Sequence, residues 1–493
     1  MGKVFEATKY TYNNLNTVNQ RYRHTYHAQT PVGWANDPNG FSYYKGKIHL
    51  FHQYNPYNTA WAPMHWGHYT SDDFIKWELQ NVALAPDEEY DKDYGAFSGS
   101  AIEKDGKLYL MYTGVANDLQ QQCIAVSSDG INFEKIGRNP VISSSMLPNA
   151  YSKADFRDPY VFVHDDMYYC LIGTKRGSYG NMLMYKSSNL TSWSFVGEVM
   201  NSSDKNSPNF YQLNGVYECP SYACIDGKEV LICSPQNLPK DGYMFENINS
   251  VVYMIGKFDY NTGRFNYSEV NEIDSGFDFY AAQTRKMNDG RTIMIAWMQM
   301  WERTLPTAAD GWVGGFTLPR ELGIKDNHLY QNPVKEIEKY RSNKVQYYNV
   351  NLFNNQSVSL DNINGNTLEL EFTLDMNDAK KTGVKLFKGN MHETLVYYDK
   401  EKNIVVLDRS KSGANISGVE ANNSTRSCKI DLVDGKVKFR IFLDVSSIEV
   451  FINDGYHTIT ANVYPDLTDL GIEFYSVGGN ALLESITKYN IEV

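Results

Sequence analysis

The sequence predicts an all-β protein, a five-bladed β-propeller followed by a C-terminal antiparallel β-sandwich, and three features carry that prediction. A hairpin pattern repeats five times before residue 332. No stretch of that region sustains the 3.6-residue apolar period of long helices. From about Asn343 onward, short alternating runs such as Thr367 to Leu374 and Lys436 to Asp444 are broken by Asn, Asp and Gly, the pattern of an antiparallel sandwich.

Each repeat centres on a turn followed by a strand-like run. Lys45-Gly46-Lys47, Asp105-Gly106-Lys107, Asp165-Asp166-Met167, Asp226-Gly227-Lys228 and Asp289-Gly290-Arg291 have centres that advance by 60, 60, 61 and 63 positions. Asp and Gly tolerate the backbone of tight hairpin turns, so their recurrence between apolar runs marks a central hairpin in each unit. A second marker, Ser71 to Trp77, Ser128 to Phe133 and Ser188 to Trp193, closes units on an aromatic residue. About 60 residues hold four strands with their turns, and units of fixed period stack or radiate, which gives five blades. Gln331-Asn332-Pro333 ends the series, and apolar residues at Val334, Ile337 and Tyr340 predict a short helix opened by proline. The expected domains are thus a propeller over 1–332, a helical linker over 333–342 and a sandwich over 343–493.

Composition narrows the partner. A formal net charge of -12 without clustered Lys and Arg excludes nucleic acid and anionic membranes. No run approaches the roughly 18 apolar residues of a membrane span. The N-terminus lacks an apolar signal segment, and six scattered cysteines form no disulfide framework, so a cytoplasmic protein with reduced thiols is expected. The pairs His49/His52 and His65/His68 lack a companion carboxylate pattern, and neither a metal nor a cofactor is expected. A neutral small molecule fits this balance.

Three acids stand out by their local chemistry. Asp37 in Gly33-Trp34-Ala35-Asn36-Asp37-Pro38-Asn39-Gly40, Asp158 in Arg157-Asp158-Pro159 and Glu218 in Glu218-Cys219-Pro220 lie directly before a proline or one residue from it. Proline restricts the residue before it to extended geometry, and Asn and Gly favour the tight turn around Asp37. Counted back from the hairpin centres, Asp37, Ser98, Asp158, Glu218 and Ala281 fall eight or nine residues away. Equivalent positions of a propeller converge on its axis, so the three acids face one funnel. Turn formation alone would explain any one of them but not all three at matching places.

Trp34, Trp61, Trp66, Phe97, Tyr280 and Trp297 are expected at the edge of that funnel. Aromatic faces pack on sugar C–H groups and carboxylates accept sugar hydroxyls, so the expected ligand is a sugar. Glycoside hydrolysis needs one protonated acid at the leaving oxygen and one ionised carboxylate across the anomeric carbon. Asp158, beside the Arg157 guanidinium, is expected to stay ionised and to bind hydroxyls. A non-catalytic sugar-binding propeller is the alternative of a different class, and a pH-activity profile with one essential acid and one essential base separates the two.

These motifs, WANDPNG, FSGSA (Phe97 to Ala101), FRDP (Phe156 to Pro159), ECP (Glu218 to Pro220), LPREL (Leu318 to Leu322) and SSIEVFINDG (Ser446 to Gly455), resemble those of glycoside hydrolase family 32, the invertases, fructan hydrolases and sucrose-6-phosphate hydrolases. The resemblance spans essentially the whole chain. It implies a five-bladed propeller with a β-sandwich, Asp37 as nucleophile, Glu218 as acid/base and Asp158 as the stabiliser that holds fructose hydroxyls. It also implies sugar contacts from Asn36, Gln53, Trp61, Phe97, Ser98, Arg157, Tyr280 and Trp297. One departure is Ala35, where the family often has Met, which opens room beside the nucleophile.

The implied activity is that of a retaining β-fructofuranosidase, with fructosyl transfer or inulin and levan hydrolysis as alternatives on the same fold. Glucose, glucose 6-phosphate and a further fructose unit all remain open as leaving group. Lys175-Arg176, in a glycine-bounded loop, is either a phosphate contact or a solvated pair. Carboxyl groups on neighbouring inner strands should stand roughly 5 to 5.5 Å apart, the spacing of retaining enzymes.

Overall fold

The structure is a computed structural model that describes residues 2–201 and 215–493. It is nearly all β. Before residue 334 the described strands form five sheets, apart from the short Arg303–Thr304, which pairs with Ser417–Gly418, and each of the five holds an inner strand: Gly33–Tyr44, Gly95–Lys104, Phe156–His164, Tyr217–Ile225 and Tyr280–Lys286. Each inner strand lies against the inner strand of the next sheet, and the fifth lies against the first, so the sheets close into a ring. This is the propeller arrangement that the repeat predicts. Antiparallel hairpins join each inner strand to its second strand through the turns seen in the sequence, such as Asp226-Gly227 between Ile225 and Lys228.

The inner strands share an irregularity that aims the site. The third pairs Arg157 with Gly173 but Tyr160 with Leu171, the fourth pairs Glu218 with Ser234 but Ser221 with Ile232, and the fifth pairs Tyr280 with Trp297 but Gln283 with Ile295. Each therefore carries one extra residue, a β-bulge, which bends the strand and redirects a side chain. Pro159 and Pro220 occupy the unpaired places, where no ladder N–H is needed. Asp158, Cys219 and Ala281 take left-handed backbone at φ of 65°, 47° and 53°. The first and second inner strands slip likewise, between Ala35 and Pro38 and between Phe97 and Gly99.

This register corrects the count made from the hairpin turns. Arg157, Glu218 and Tyr280 share one position, and Asp158, Cys219 and Ala281 share the next. Glu218 thus stands one residue before the place of Asp158, which is the difference between nine residues and eight in their counts from the turns.

Two six-stranded sheets over Arg341–Ile491 pack face to face around a core that includes Leu370, Phe372, Val384, Phe439 and Phe474. This is the expected sandwich. The connecting helix is a single 3-10 stretch, Lys335–Tyr340, and it is docked: Val334 and Ile337 are buried with Leu50, Phe442 and Phe451. The N-terminal residues differ from the expectation of strands alone. Lys3–Asn14 is an α-helix whose buried residues are Ala7 and Thr11, four apart on one side. Two small residues make a face too weak to register as an apolar period.

Buried charges join the propeller to the sandwich. Arg320 is fully buried, with Nη2 2.6 Å from Glu449 Oε2 and Nη1 3.0 Å from Asp274 Oδ2. His27 lies between Asp444 Oδ2 at 2.8 Å and Glu449 Oε1 at 2.9 Å. Burial opposes a charge on His27, but hydrogen bonds to both carboxylates outweigh it and raise its pKa to about 9. LPREL and SSIEVFINDG thus meet in this interface, far along the chain from each other.

Candidate active site

The bulges turn the three acids into a funnel of about 550 Å³ at the axis of the ring. Its wall includes Asn36, Asp37, Gln53, Trp61, Phe97, Ser98, Arg157, Asp158 and Glu218, so nine of the eleven residues expected from the sequence meet there. Gly33 begins this segment at φ 76°, where a Cβ would stand 2.2 Å from the Asn55 carbonyl oxygen, so only glycine lets the first strand approach its neighbour this closely.

Asp37 is held by short donors. Ser98 Oγ donates to its Oδ2 at 2.6 Å and Asn36 Nδ2 to its Oδ1 at 3.1 Å, while Trp34 Nε1 donates to Asn36 Oδ1 at 2.8 Å and fixes that amide. Burial raises the pKa of Asp37, the Ser98 bond opposes the rise, and the nearby Glu218 charge adds to it. Asp158 accepts the Cys219 backbone N–H at 3.0 Å, and the Cys219 sulfur lies 3.5 Å from Asp37 Oδ2 and 3.7 Å from Asp158 Oδ2. The thiol therefore separates two carboxylates.

The ion pair at the site differs from the expected one. Arg157 reaches Glu218 rather than its neighbour Asp158, with Nε 3.0 Å and Nη2 2.8 Å from Glu218 Oε1. The bulge explains this, since it places Arg157 and Glu218 at the same position of adjacent sheets and turns Asp158 away. Asp158 consequently has its pKa raised, by burial first and by the Glu218 and Asp37 charges, although Arg157 opposes the rise. Tyr280 OH stands 2.6 Å from Glu218 Oε2 and 3.1 Å from the Ser234 carbonyl oxygen.

Two expected sugar contacts are placed elsewhere. Tyr280 touches Glu218 but is fully buried behind the wall. Trp297, its partner in the hairpin, is fully buried in the core with Trp34 and Met294. Trp34 and Trp66 are buried as well, leaving exposed Trp61 and half-buried Phe97 as the aromatic edge. The sequence reading missed Trp301, which lines the funnel and stacks on Trp34 with centroids 6.0 Å apart. It also missed Gln120, Asp155, Gln236, Asn237 and Asn249. These sit in loops and strand ends, where polar residues carry no period. Lys175 and Arg176 are not among the lining residues: Lys175 Nζ lies 3.1 Å from Asp155 Oδ2 and Arg176 3.6 Å from Glu198.

A sugar-sized funnel with an aromatic edge, one carboxylate held by hydroxyl and amide donors and a second facing it defines a glycoside hydrolase. Comparison with known proteins agrees. Residues 27–333 match the glycosyl hydrolases family 32 N-terminal domain and residues 336–490 match the family 32 C-terminal model. A sucrose-6-phosphate hydrolase of Zymomonas mobilis is 36% identical over 486 residues, covering 95% of this chain and 92% of its own. A raffinose invertase of Escherichia coli is 34% identical, covering 94% of each chain. Among solved structures, a Bombyx mori family 32 β-fructofuranosidase superposes with a TM-score of 0.83 at 34% identity, over 99% of this chain and 98% of that one. The chain belongs to glycosyl hydrolases family 32.

Proposed function

We propose that the protein is a retaining β-fructofuranosidase that releases terminal β-D-fructofuranosyl residues by double displacement. The observation that carries this reading is the division of labour between Asp37 and Glu218. Asp37 is surrounded by groups that donate to it, which suits an ionised nucleophile. Glu218 accepts two Arg157 N–H bonds on Oε1, which fixes the carboxyl group and leaves Oε2 to pass a proton to the leaving oxygen. Tyr280 O–H donates to that oxygen at 2.6 Å and lies 3.1 Å from the Ser234 carbonyl oxygen, which holds Oε2 in place.

In the first step Asp37 attacks the anomeric carbon of fructose while Glu218 Oε2–H gives its proton to the leaving oxygen, and the glycosidic bond breaks. In the second, Glu218 takes a proton from water, which attacks the fructosyl ester and frees Asp37. Asp158 accepts fructose hydroxyls through the face of its carboxyl not held by Cys219. Gln53, Trp61, Phe97 and Asn36 complete the sugar pocket. A sugar-binding propeller without catalysis has no use for a proton donor, and family membership supports the enzyme.

The neighbours support the substrate class in different ways. Relatives are named for sucrose 6-phosphate and raffinose, and one family 32 structure from Bombyx mori is a complex with sucrose. We take fructose-terminated sugars as the class and the cytoplasm as the place of action, consistent with six free cysteines. Initial rates of fructose release from sucrose, sucrose 6-phosphate, 1-kestose, inulin and levan, measured side by side, test this. Release from sucrose or 1-kestose is expected, and no release from any of the five would overturn it.

A further inference from the structure

We propose that the sandwich clamps one wall of the funnel: Glu420 and the strand Ser417–Gly418 hold Arg303, and Arg303 fixes Trp301 and Glu302 in the arrangement that binds sugar. The proposal rests on the fructosidase reading above and assigns Glu420 and Arg303 as positioning residues for that site. Trp301 and Glu302 both line the funnel, in a turn that leads from the strand Thr292–Trp297 into the short strand Arg303–Thr304.

Glu302 has left-handed backbone at φ 59°. A residue with a long side chain holds that conformation only where its surroundings over-determine it. On one side the turn is fixed by rings, since Trp301 stacks on Trp34 with centroids 6.0 Å apart and meets Trp297 edge-on at 5.0 Å. On the other side it is fixed by charge. The Arg303 side chain is fully buried, with Nη1 2.9 Å from Asp278 Oδ1 and Nη2 2.6 Å from Glu420 Oε1 and 3.2 Å from Asn247 Oδ1. Guanidinium donors form a rigid fork, so partners in two directions fix the whole group.

The sandwich supplies half of this grip. Arg303 pairs with Gly418 and Thr304 with Ser417 in a two-stranded antiparallel sheet that joins the two parts of the chain. A Cβ on Gly418 would stand 3.1 Å from Arg303 Cγ and 2.9 Å from Glu420 Oε2, so a larger residue there would push on both members of the pair. Ile416 packs on the same core as Trp301 and Trp34. The grip stands a few steps from the nucleophile, because Trp34 Nε1 donates to Asn36 Oδ1 and Asn36 Nδ2 to Asp37 Oδ1. Without Glu420 the left-handed turn is free to relax, and the fraction of molecules with Trp301 and Glu302 in place falls. A lower competent fraction weakens apparent sugar binding in proportion and leaves turnover of bound sugar unchanged.

The test measures kcat and KM on sucrose and 1-kestose for the wild-type enzyme, Glu420→Ala, Glu420→Gln, Gly418→Ala, Trp301→Phe and the double variant of Glu420→Ala with Trp301→Phe, with circular dichroism to confirm folding. Glu420→Ala and Gly418→Ala should each raise KM about tenfold with kcat within about twofold, and Glu420→Gln, which keeps an acceptor for Arg303 Nη2, should stay near wild type. The double variant should have a KM no higher than that of its worse single variant, because both changes act through one ring. An unchanged KM, a loss confined to kcat, or two KM effects that multiply independently would each overturn the clamp, while fructose release by the wild-type enzyme keeps the fructosidase reading. Should Glu420→Ala fail to fold, Gly418→Ala decides, since Gly418 is exposed and its change leaves every charge paired. No fructose release by the wild-type enzyme from any of the five sugars named above would overturn both readings.

Discussion

The Arg157 guanidinium holds Glu218 and not the adjacent Asp158, with Nη2 2.8 Å from Glu218 Oε1. The pairing fixes one oxygen of the proposed acid and leaves the other toward Tyr280. Glu218→Gln keeps the shape and loses the proton, and Asp37→Asn keeps the shape and loses the nucleophile. Each should lower kcat at least about a thousandfold in a folded protein. Steady-state rates on sucrose, with circular dichroism to confirm folding, check this, and unchanged turnover in either variant would remove the assigned roles.

Ser98 should set the acid limb of activity through Asp37, the proposed nucleophile. Burial raises the pKa of Asp37, and the Ser98 hydroxyl 2.6 Å from Oδ2 pulls it back toward the ordinary range. Ser98→Ala removes only the lowering contribution. The acid limb of kcat/KM should therefore move to higher pH, because the nucleophile must be ionised. A limb that stays in place or moves to lower pH would show that Asp37 does not govern it.

The Arg320 and Glu449 pair should hold the two parts of the chain together. Both side chains are buried, and removing one leaves an uncompensated charge. Arg320→Ala should cost about 3 to 5 kcal/mol of stability. Thermal unfolding should show the loss, and a Tm within a degree or two of wild type would contradict it. Limited proteolysis of the same variant tests the proposed division into 1–332, 333–342 and 343–493, with first cuts expected near Tyr340.

His27 gives stability an alkaline edge. Its folded pKa of about 9 exceeds the ordinary value of 6.5, so the contribution is fully present below about pH 6.5 and is lost as pH rises through about 9. Linkage puts the loss at roughly 3 kcal/mol. Denaturant unfolding from pH 6 to 10 should show this decline in the wild-type protein and a weaker one in His27→Gln. Equal slopes would mean that the imidazole is not charged between Asp444 and Glu449.

Much of the ring was legible because Asp-Gly hairpins and strand-like runs are local signals, and each unit repeats them. The acids were legible because proline after Asp158, and one residue after Glu218, marks a place in the strand that needs no N–H. What was hidden follows from the bulges. A strand that gains one residue flips the side chains beyond it, so alternation along an inner strand does not predict that Tyr280 is buried behind the wall while Phe97 lines the funnel half-buried. The same slip sends Arg157 to Glu218. Arg320 read as part of a motif, and its role in joining the domains appears only when residues more than a hundred positions apart are brought together.

Product stereochemistry tests the central assignment most directly. If Asp37 forms a fructosyl ester that water then opens from the face the leaving sugar vacated, NMR during the first turnovers on sucrose should show β-fructofuranose appearing before the other anomers. Initial release of α-fructofuranose would mean direct attack by water and would contradict the role given to Asp37.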